Sequence, residues 1–198
     1  MLHTGPLQPG FKDPVLDSQQ VFMASLKAMS HPGSVIDLPV LPPGPEPLLA
    51  STAALLLTLL DWDTRLWLDP PAANKRVLGW LAFHCGCRII KEPAEANFVV
   101  VGDGRHLPDL TRFAWGTEDS PEGSATIIIQ VQDLAQGQGR FLTGPGIEDR
   151  TRLSVQGLDD SFWHYPALNS RLFPQGLDFF LAGPGSVCGL PRTTSVEG

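Results

Sequence analysis

Two short, unbroken β-branched runs in the middle of the chain constrain the fold more than any other feature. Thr126 to Val131 has the strongest strand pattern in the sequence, and Phe98 to Val101 forms a second run that ends at Gly102. Apolar runs of this length without polar alternation are typical of strands buried on both faces of a sheet. Buried strands need other elements packed against them, so the sequence predicts a sheet covered by helices.

Helix and strand patterns alternate in the first half of the chain, whereas strand patterns crowd together in the second half. Asp17 or Ser18 is placed to cap a first helix, in which Val21, Phe22, Leu26 and Met29 follow helical spacing. His31 before Pro32 should end that helix, because the residue before a proline is disfavoured in the α region. The predicted fold is therefore α/β, a single domain over residues 1–198 with a mixed β-sheet flanked by helices and an irregular arm at residues 1–14.

Two Gly-Pro-Gly corners stand where predicted strands end. Gly144-Pro145-Gly146 follows a strand-like run from Arg140, and Gly183-Pro184-Gly185 follows another apolar run. Proline presets φ for a tight turn and glycine supplies the positive φ that the next position needs. A strand pattern at Arg152 to Val155 follows the first corner, and the two strands are expected to form a hairpin. The corners are interpreted as structural turns, with phosphate cradling as the alternative.

Charge and composition exclude several classes of protein. The formal net charge is −7 and no basic block occurs, which argues against a nucleic-acid surface. The longest apolar stretch, Ala53 to Leu60, is far shorter than the roughly 20 residues of a membrane span. No secretory signal precedes it, and three cysteines make no disulfide framework, so a cytoplasmic protein is expected.

The common catalytic motifs are absent or incomplete. Gly102-Asp103-Gly104 follows a strand, but Leu107 occupies the third glycine position of a dinucleotide fingerprint. His84, Cys85 and Cys87 are too closely spaced for a typical zinc site, so a helix-end histidine with two packed thiols is the preferred interpretation, with Cys188 too far along the chain to complete the set. Asp61 with Asp63 fits an Asx turn, and Asp159 with Asp160 fits a helix start. None of these patterns names a reaction.

Six short stretches, in order, together resemble one family, the H subunit of carbon–phosphorus lyase, called the PhnH family. They span about residues 11 to 197: Phe22 to Gly33; Leu56 to Asp61 with Thr64; Phe83-His84; Leu142-Thr143-Gly144-Pro145-Gly146-Ile147; Phe173 to Asp178; and Leu190-Pro191-Arg192-Thr193-Thr194. One position departs from the family pattern, which has arginine where this chain has Met23. That departure weakens any case for an anion site near the N-terminus.

The resemblance implies one component of a multi-subunit machine that uses phosphonates as a phosphorus source. With the G, I and L subunits, such a component supports transfer of a phosphonate to C1′ of the ribose of ATP with release of adenine. ATP and Mg are then substrates of the complex, and the subunit itself is expected to bind no cofactor. The resemblance also implies a fold similar to the large domain of pyridoxal-phosphate-dependent transferases without that cofactor. The sequence agrees, because no lysine that could form a Schiff base occurs after Lys91.

Two roles follow from the resemblance. In the first, the chain is a non-catalytic partner of the G, I, J and L subunits, with Asp61, His84 and Asp178 in structural or partner-facing positions, and forms a homodimer when isolated. In the second, Arg192 and the backbone at Gly144 and Gly146 contact phosphate or substrate. The alternative for Arg192 is an ion pair with Asp178 or Glu197 that holds the C-terminal segment. A stand-alone small-molecule transferase is a third possibility, and the lack of a catalytic motif favours the first role.

Overall fold

A seven-stranded mixed sheet runs through the molecule, which is known from a computed structural model that describes residues 8–197. Its strand order is β1-β9-β8-β5-β4-β2-β3, and the five strands from β8 to β3 are parallel neighbours, whereas β9 is antiparallel to both β8 and β1. The strands of this sheet are β1 (Ile36–Asp37), β2 (Arg65–Leu68), β3 (Arg88–Ile89), β4 (Phe98–Val101), β5 (Thr126–Gln130), β8 (Asp178–Ala182) and β9 (Ser186–Leu190). The predicted α/β fold with a mixed sheet is confirmed.

The two central strands are buried on both faces, as their β-branched composition predicts. Val100 and Ile128 point into one core cluster, whereas their neighbours Val99, Ile127 and Ile129 point into the other. Side chains of successive strand residues alternate between faces, so each central strand contributes to both clusters. This double burial leaves the sheet without a solvent-exposed face at its centre.

Different elements cover the two faces of the sheet. The first cluster contains buried residues of α1 (Pro14–Ser30), α2 (Ala50–Leu59) and α3 (Lys75–His84). The second contains Leu134, Leu142 and Leu153 from a smaller three-stranded sheet, together with Phe162 beside α4 (His164–Leu172). Helices were expected over the sheet as a whole. One face is instead covered largely by a second sheet, because the long hairpin folds back with its buried leucines inward.

The smaller sheet has the order β10-β6-β7 and is antiparallel throughout. It consists of β6 (Asp133–Thr143), β7 (Thr151–Gln156) and β10 (Ser195–Glu197). Leu153 is the register partner of both Gln136 and Arg140, so the three residues between them bulge out of the ladder. The predicted hairpin around Gly144 to Gly146 is confirmed, but β6 begins at Asp133, earlier than the predicted Arg140, and Gly137 and Gly139 in the bulge have positive φ.

The first helix begins earlier than the sequence pattern predicts. Asp13 caps it by accepting hydrogen bonds from the backbone N–H groups of Val15 and Leu16, at 3.1 and 3.0 Å. Pro14 then occupies the first helical position, where a missing N–H costs nothing. The prediction of Asp17 or Ser18 as the cap is therefore wrong. The helix ends at Ser30, before His31 and Pro32, as predicted.

The remaining boundaries follow the sequence closely. Asn74 caps α3 through the N–H groups of Arg76 and Val77, as predicted, and β2 and β4 have the predicted ends. Residues 8–13 contain neither helix nor strand, and the rest of the predicted arm, residues 1–7, lies outside the described residues. Along the described chain, no helix is both long and apolar enough to cross a membrane.

Candidate functional site

Arg192 lies at the meeting point of three segments near one end of the sheet. Its backbone N–H donates to Asp178 Oδ1 at 2.8 Å, and its guanidinium pairs with the same carboxylate through Nε at 3.3 Å and Nη2 at 2.5 Å. Nη1 donates to the carbonyl oxygens of Pro121 and Pro174 at 2.8 and 3.3 Å, and Nη2 donates to Ser124 Oγ at 2.5 Å. Arg192 thus joins the C-terminal segment to the loop at 121–124 and to the start of β8.

The partners of Arg192 use its full donor capacity. A guanidinium has five N–H donors, and five side-chain donations to protein acceptors are present. The side chain of Arg192 is only 15% exposed, and that of Asp178 is 20% exposed. A phosphate could bind Arg192 only by displacing one of these partners. The geometry therefore favours the ion-pair alternative over substrate contact at this residue.

Two of the family-like stretches, Phe173 to Asp178 and Leu190 to Thr194, pack against each other beside this ion pair. Asn169 on α4 donates to the carbonyl of Leu177 at 2.8 Å and accepts from its N–H at 2.9 Å. Gly176, with φ of +155°, lies so close to Arg192 and Asn169 that a Cβ there would be 2.8 Å from each. A side chain at Gly176 would therefore push the arginine and the amide apart. The segment around Gly176 is tightly packed and has no room for a larger residue at that position.

The corner at Gly144 to Gly146 lies in a second meeting point of the family-like stretches. Gly144 and Gly146 both have positive φ, +134° and +86°, as the turn predicts. A Cβ on Gly144 would lie 2.6 Å from the carbonyl oxygen of Thr193, and one on Gly146 would lie 2.9 Å from the ring of Pro32. The corner is therefore pressed between the end of α1 and the C-terminal turn. The prediction of positive φ is wrong at the second corner, because neither Gly183 nor Gly185, between β8 and β9, has a positive φ.

Asp61 and His84 lie apart from the Arg192 region, at the ends of α2 and α3. Asp61 Oδ1 accepts hydrogen bonds from the backbone of Asp63 and Thr64, and the Thr64 hydroxyl bond lowers the pKa of Asp61. This is the predicted Asx turn. His84 is the last residue of α3, and its Nε2 lies 3.1 Å from the carbonyl oxygen of Gln8. His84 thus fastens the N-terminal segment to the helix.

The cysteines are packed thiols in the structure. Cys85 is half-buried, Cys87 and Cys188 are buried, and all three are free. Burial raises the pKa of Cys85 and of Cys188 to about 12, so both thiols are protonated and unreactive at neutral pH. Among residues 8–197, no group of three or more histidine, cysteine or acidic side chains is placed to hold a metal ion.

Open α/β sheets usually bind ligands at the carboxyl edge of their parallel strands. In this protein the chain's own side chains and loops occupy that edge. Asp69 follows β2 and accepts from the N–H of Gly102 at 2.8 Å, while Gln130 at the end of β5 donates to the carbonyl of Gly102 at 2.9 Å. Gln130 also accepts from the N–H of Leu49 at 2.6 Å and donates to Pro47 O at 3.1 Å. Burial raises the pKa of Asp69. The sequence pattern did not single out Asp69 or Gln130, because each reads as an ordinary residue after a strand.

A bare apolar face on α1 is the largest feature that the sequence pattern misplaced. Val21 is buried as predicted, but Phe22 and Leu26 are exposed. The face consists of Val15, Leu16, Phe22, Met23 and Leu26, whose side chains are 76, 54, 45, 60 and 47% exposed. At about 100° per residue these five lie within an arc of about 120° that also contains the exposed Gln19, opposite the buried Ala24 and Ala28. A helix that is apolar on two opposite sides is typically covered on both.

Taken together, the described residues form an α/β domain with tightly packed family-like turns, a filled carboxyl edge and an uncovered apolar helix face. The chain belongs to the PhnH family. Residues 9–197 match the family described as "Bacterial phosphonate metabolism protein (PhnH)".

Two curated relatives cover nearly the whole chain. The alpha-D-ribose 1-methylphosphonate 5-triphosphate synthase subunit PhnH of Rhizobium meliloti (strain 1021) is 35% identical over 187 residues, which is 94% of each chain. A protein of Stutzerimonas stutzeri named "Putative C-P lyase subunit protein HtxG" is 32% identical over 183 residues, covering 90% of this chain and 85% of the relative. The resemblance to the PhnH family that the sequence motifs indicate is confirmed.

Proposed function

We propose that the chain is an assembly subunit of a carbon–phosphorus lyase system for phosphonate utilisation. Family membership supports a role in phosphonate metabolism. One relative is named as a putative C-P lyase subunit, and the other as a subunit of an alpha-D-ribose 1-methylphosphonate 5-triphosphate synthase. The observation that carries the assembly role is the bare apolar face of α1, which exposes several hundred Å² by order of magnitude, the size of patches that mark protein interaction sites. In this proposal that face packs against a partner subunit.

The finer form of the proposal follows the family resemblance. The chain works in the cytoplasm beside the G, I, J and L subunits and, with G, I and L, supports transfer of a phosphonate to C1′ of ATP ribose with loss of adenine. ATP and Mg are substrates of the complex, and this subunit holds no cofactor of its own. Its fold is similar to the large domain of pyridoxal-phosphate-dependent transferases, and the mostly parallel seven-stranded sheet supports that similarity.

When the chain is isolated, we propose that the same helix face closes on a second copy. An apolar helix face is self-complementary across a two-fold axis, because each helix presents the same stripe to its mate. The homodimer and the partner complex then compete for α1. Dilution should dissociate the homodimer into monomers, whereas addition of partner subunits should convert it into the mixed complex.

Co-expression with the G, I and J subunits tests the assembly role. Met23→Glu places a charge within the bare face, and we expect recovery of the complex on an affinity-tagged partner to fall at least about tenfold. Because Met23 is exposed, the isolated variant should unfold at nearly the same temperature as the parent chain. Leu172→Glu is the matched control, since Leu172 is 40% exposed on α4 and belongs to none of the family-like stretches. Recovery of Met23→Glu at the level of the parent chain would refute the role of this face.

A further inference from the structure

Two arginines lie over a half-buried phenyl ring on the outer face of the three-stranded sheet. Phe141 on β6 is the register partner of Arg152 on β7 and of Glu197 on β10. The guanidinium carbon of Arg152 lies 4.0 Å from the centre of the ring, and that of Arg150 lies 4.7 Å from it. Leu142, the next residue, is buried and points to the opposite face of this sheet. The hairpin therefore presents two cations and one ring outward.

The two positive charges have no acidic partner in the part of the chain that the structure describes. Arg88, Arg105, Arg140 and Arg192 each pair with an aspartate, whereas neither Arg150 nor Arg152 lies within ion-pair distance of a carboxylate. The guanidinium carbons cannot be more than about 9 Å apart, because both lie within 5 Å of one ring centre. Two like charges are thus held close together on a chain whose net charge is −7.

Stacking leaves the hydrogen-bonding edges of these arginines available. A guanidinium stacks through its flat face, whereas its five N–H donors point outward in its plane. The ring fixes the side chains and so reduces the entropy lost when an anion binds. Arg192 differs in this respect, since its five donors are already used by protein acceptors. Arg150 and Arg152 therefore keep N–H donors available for an oxyanion, whereas Arg192 does not.

We propose that Phe141, Arg150 and Arg152 form a binding site for the phosphate chain of a nucleoside triphosphate. Arginine binds phosphate oxygens bidentately, and a chain of several phosphates is long enough to contact both guanidinium groups. The choice of a triphosphate rests on the proposed function, since the Rhizobium meliloti relative is named for a 5-triphosphate product. The anion site itself rests only on the hairpin geometry.

The arrangement also predicts what the site does not recognise. Two guanidinium groups lie over the Phe141 ring, which is also half-buried, so the ring is not free to stack on a nucleobase. Glu197 lies beside Phe141 on the β10 side and repels an anion there, which directs the phosphates toward β7. Inorganic tripolyphosphate, ATP and GTP should therefore bind with similar affinity, whereas adenosine should not bind.

Calorimetric titration of the purified chain with tripolyphosphate, at low ionic strength and without partner subunits, tests the site. We expect Arg152→Gln and Arg150→Gln each to weaken binding at least about tenfold. Arg152→Lys keeps the charge but loses the planar stack, and should weaken binding less than Arg152→Gln. Arg88→Gln is the matched control, because it removes the same charge from the edge strand β3 of the large sheet. It should change the dissociation constant less than about twofold.

Each result decides between this site and another explanation. Absence of binding to the parent chain, or equal binding by the Arg150 and Arg152 variants, would refute the site. An equal loss in Arg88→Gln would show attraction by overall charge only, and would refute it as well. The parent chain could fail to bind tripolyphosphate while Arg152→Gln reduces recovery of partner subunits after co-expression. That result would refute the phosphate site and show that the arginine pair binds an acidic protein segment instead. Because partners are absent from the titration, its failure leaves the assembly role of α1 unaffected.

Discussion

Arg192 connects a carboxylate, a hydroxyl and two carbonyl groups that belong to distant parts of the chain. Removing one partner of a mostly buried ion pair leaves the other charge uncompensated, which costs about 3 to 5 kcal/mol. We expect Arg192→Ala to lower the free energy of unfolding by roughly 3 kcal/mol. Urea denaturation followed by circular dichroism measures this change.

A double-mutant cycle with Asp178→Asn separates the two interpretations of Arg192. If the arginine acts through Asp178, the double variant should be little less stable than the worse single variant, because the two losses overlap. A phosphate-contacting Arg192 would behave differently. Its alanine variant would keep the stability of the parent chain and lose only function in the assembled complex, which would contradict the structural role.

At the scale of elements, α1 depends on its cap because its outer face has no packing partner. Replacing a capping aspartate by alanine costs about 1 kcal/mol, since two N–H groups lose their acceptor. We expect Asp13→Ala to reduce the free energy of unfolding by about this amount and to increase amide exchange in the first turn of α1. Asp119→Ala, which removes an exposed loop carboxylate, should change stability by less than about 0.5 kcal/mol. Equal effects of the two substitutions would contradict the cap.

Sequence patterns predicted most elements but not how some of them are covered. The ends of β2 and β4 and the Asn74 cap follow from local chemistry, so the sequence suffices for them. The inward face of α1 was misjudged because Phe22 and Leu26 have the spacing of core residues. In fact small residues, Ala24 and Ala28, face the sheet, and only the packed structure shows this. Gly189 allows this approach, since a Cβ there would lie 2.6 Å from the carbonyl oxygen of Ala28.

For the whole molecule, the buried thiols predict a loss of stability at alkaline pH. Folding raises the pKa of Cys85 and Cys188 to about 12, above the value of about 8.5 expected in the unfolded chain. The folded state therefore binds these protons more tightly, and its advantage is full below pH 8.5 and lost as the pH rises toward 12. We expect the urea midpoint to fall between pH 8 and about pH 11, and to fall less in Cys85→Ala/Cys188→Ala.

Thiol labelling provides a second measurement of the same feature. At neutral pH the native chain should react slowly with an aromatic disulfide reagent, whereas the urea-unfolded chain should show all three cysteines at once. Rapid labelling of Cys188 in the native chain would contradict its burial. The control is the labelling rate of free cysteine under the same conditions.

The candidate sites were predictable only where neighbours in sequence make the contact. The Asx turn at Asp61 and the left-handed glycines at 144 and 146 are local and were predicted. The contacts of Arg192 with Pro121 and Ser124 join residues about 70 positions apart, so no sequence pattern could single them out. The pair at Arg150 and Arg152 was not predicted either, because Arg150 precedes both the predicted strand and β7.

Both backbone polar groups of Gly102 are hydrogen-bonded to side chains: its N–H donates to Asp69, and its carbonyl oxygen accepts from Gln130. A small molecule entering at that edge would have to break both bonds and displace the loop that carries Pro47 and Leu49. An inhibitor designed for the usual ligand-binding edge of an open α/β sheet would thus find no space there. Compounds aimed at this subunit are better directed at the first helix or at the hairpin.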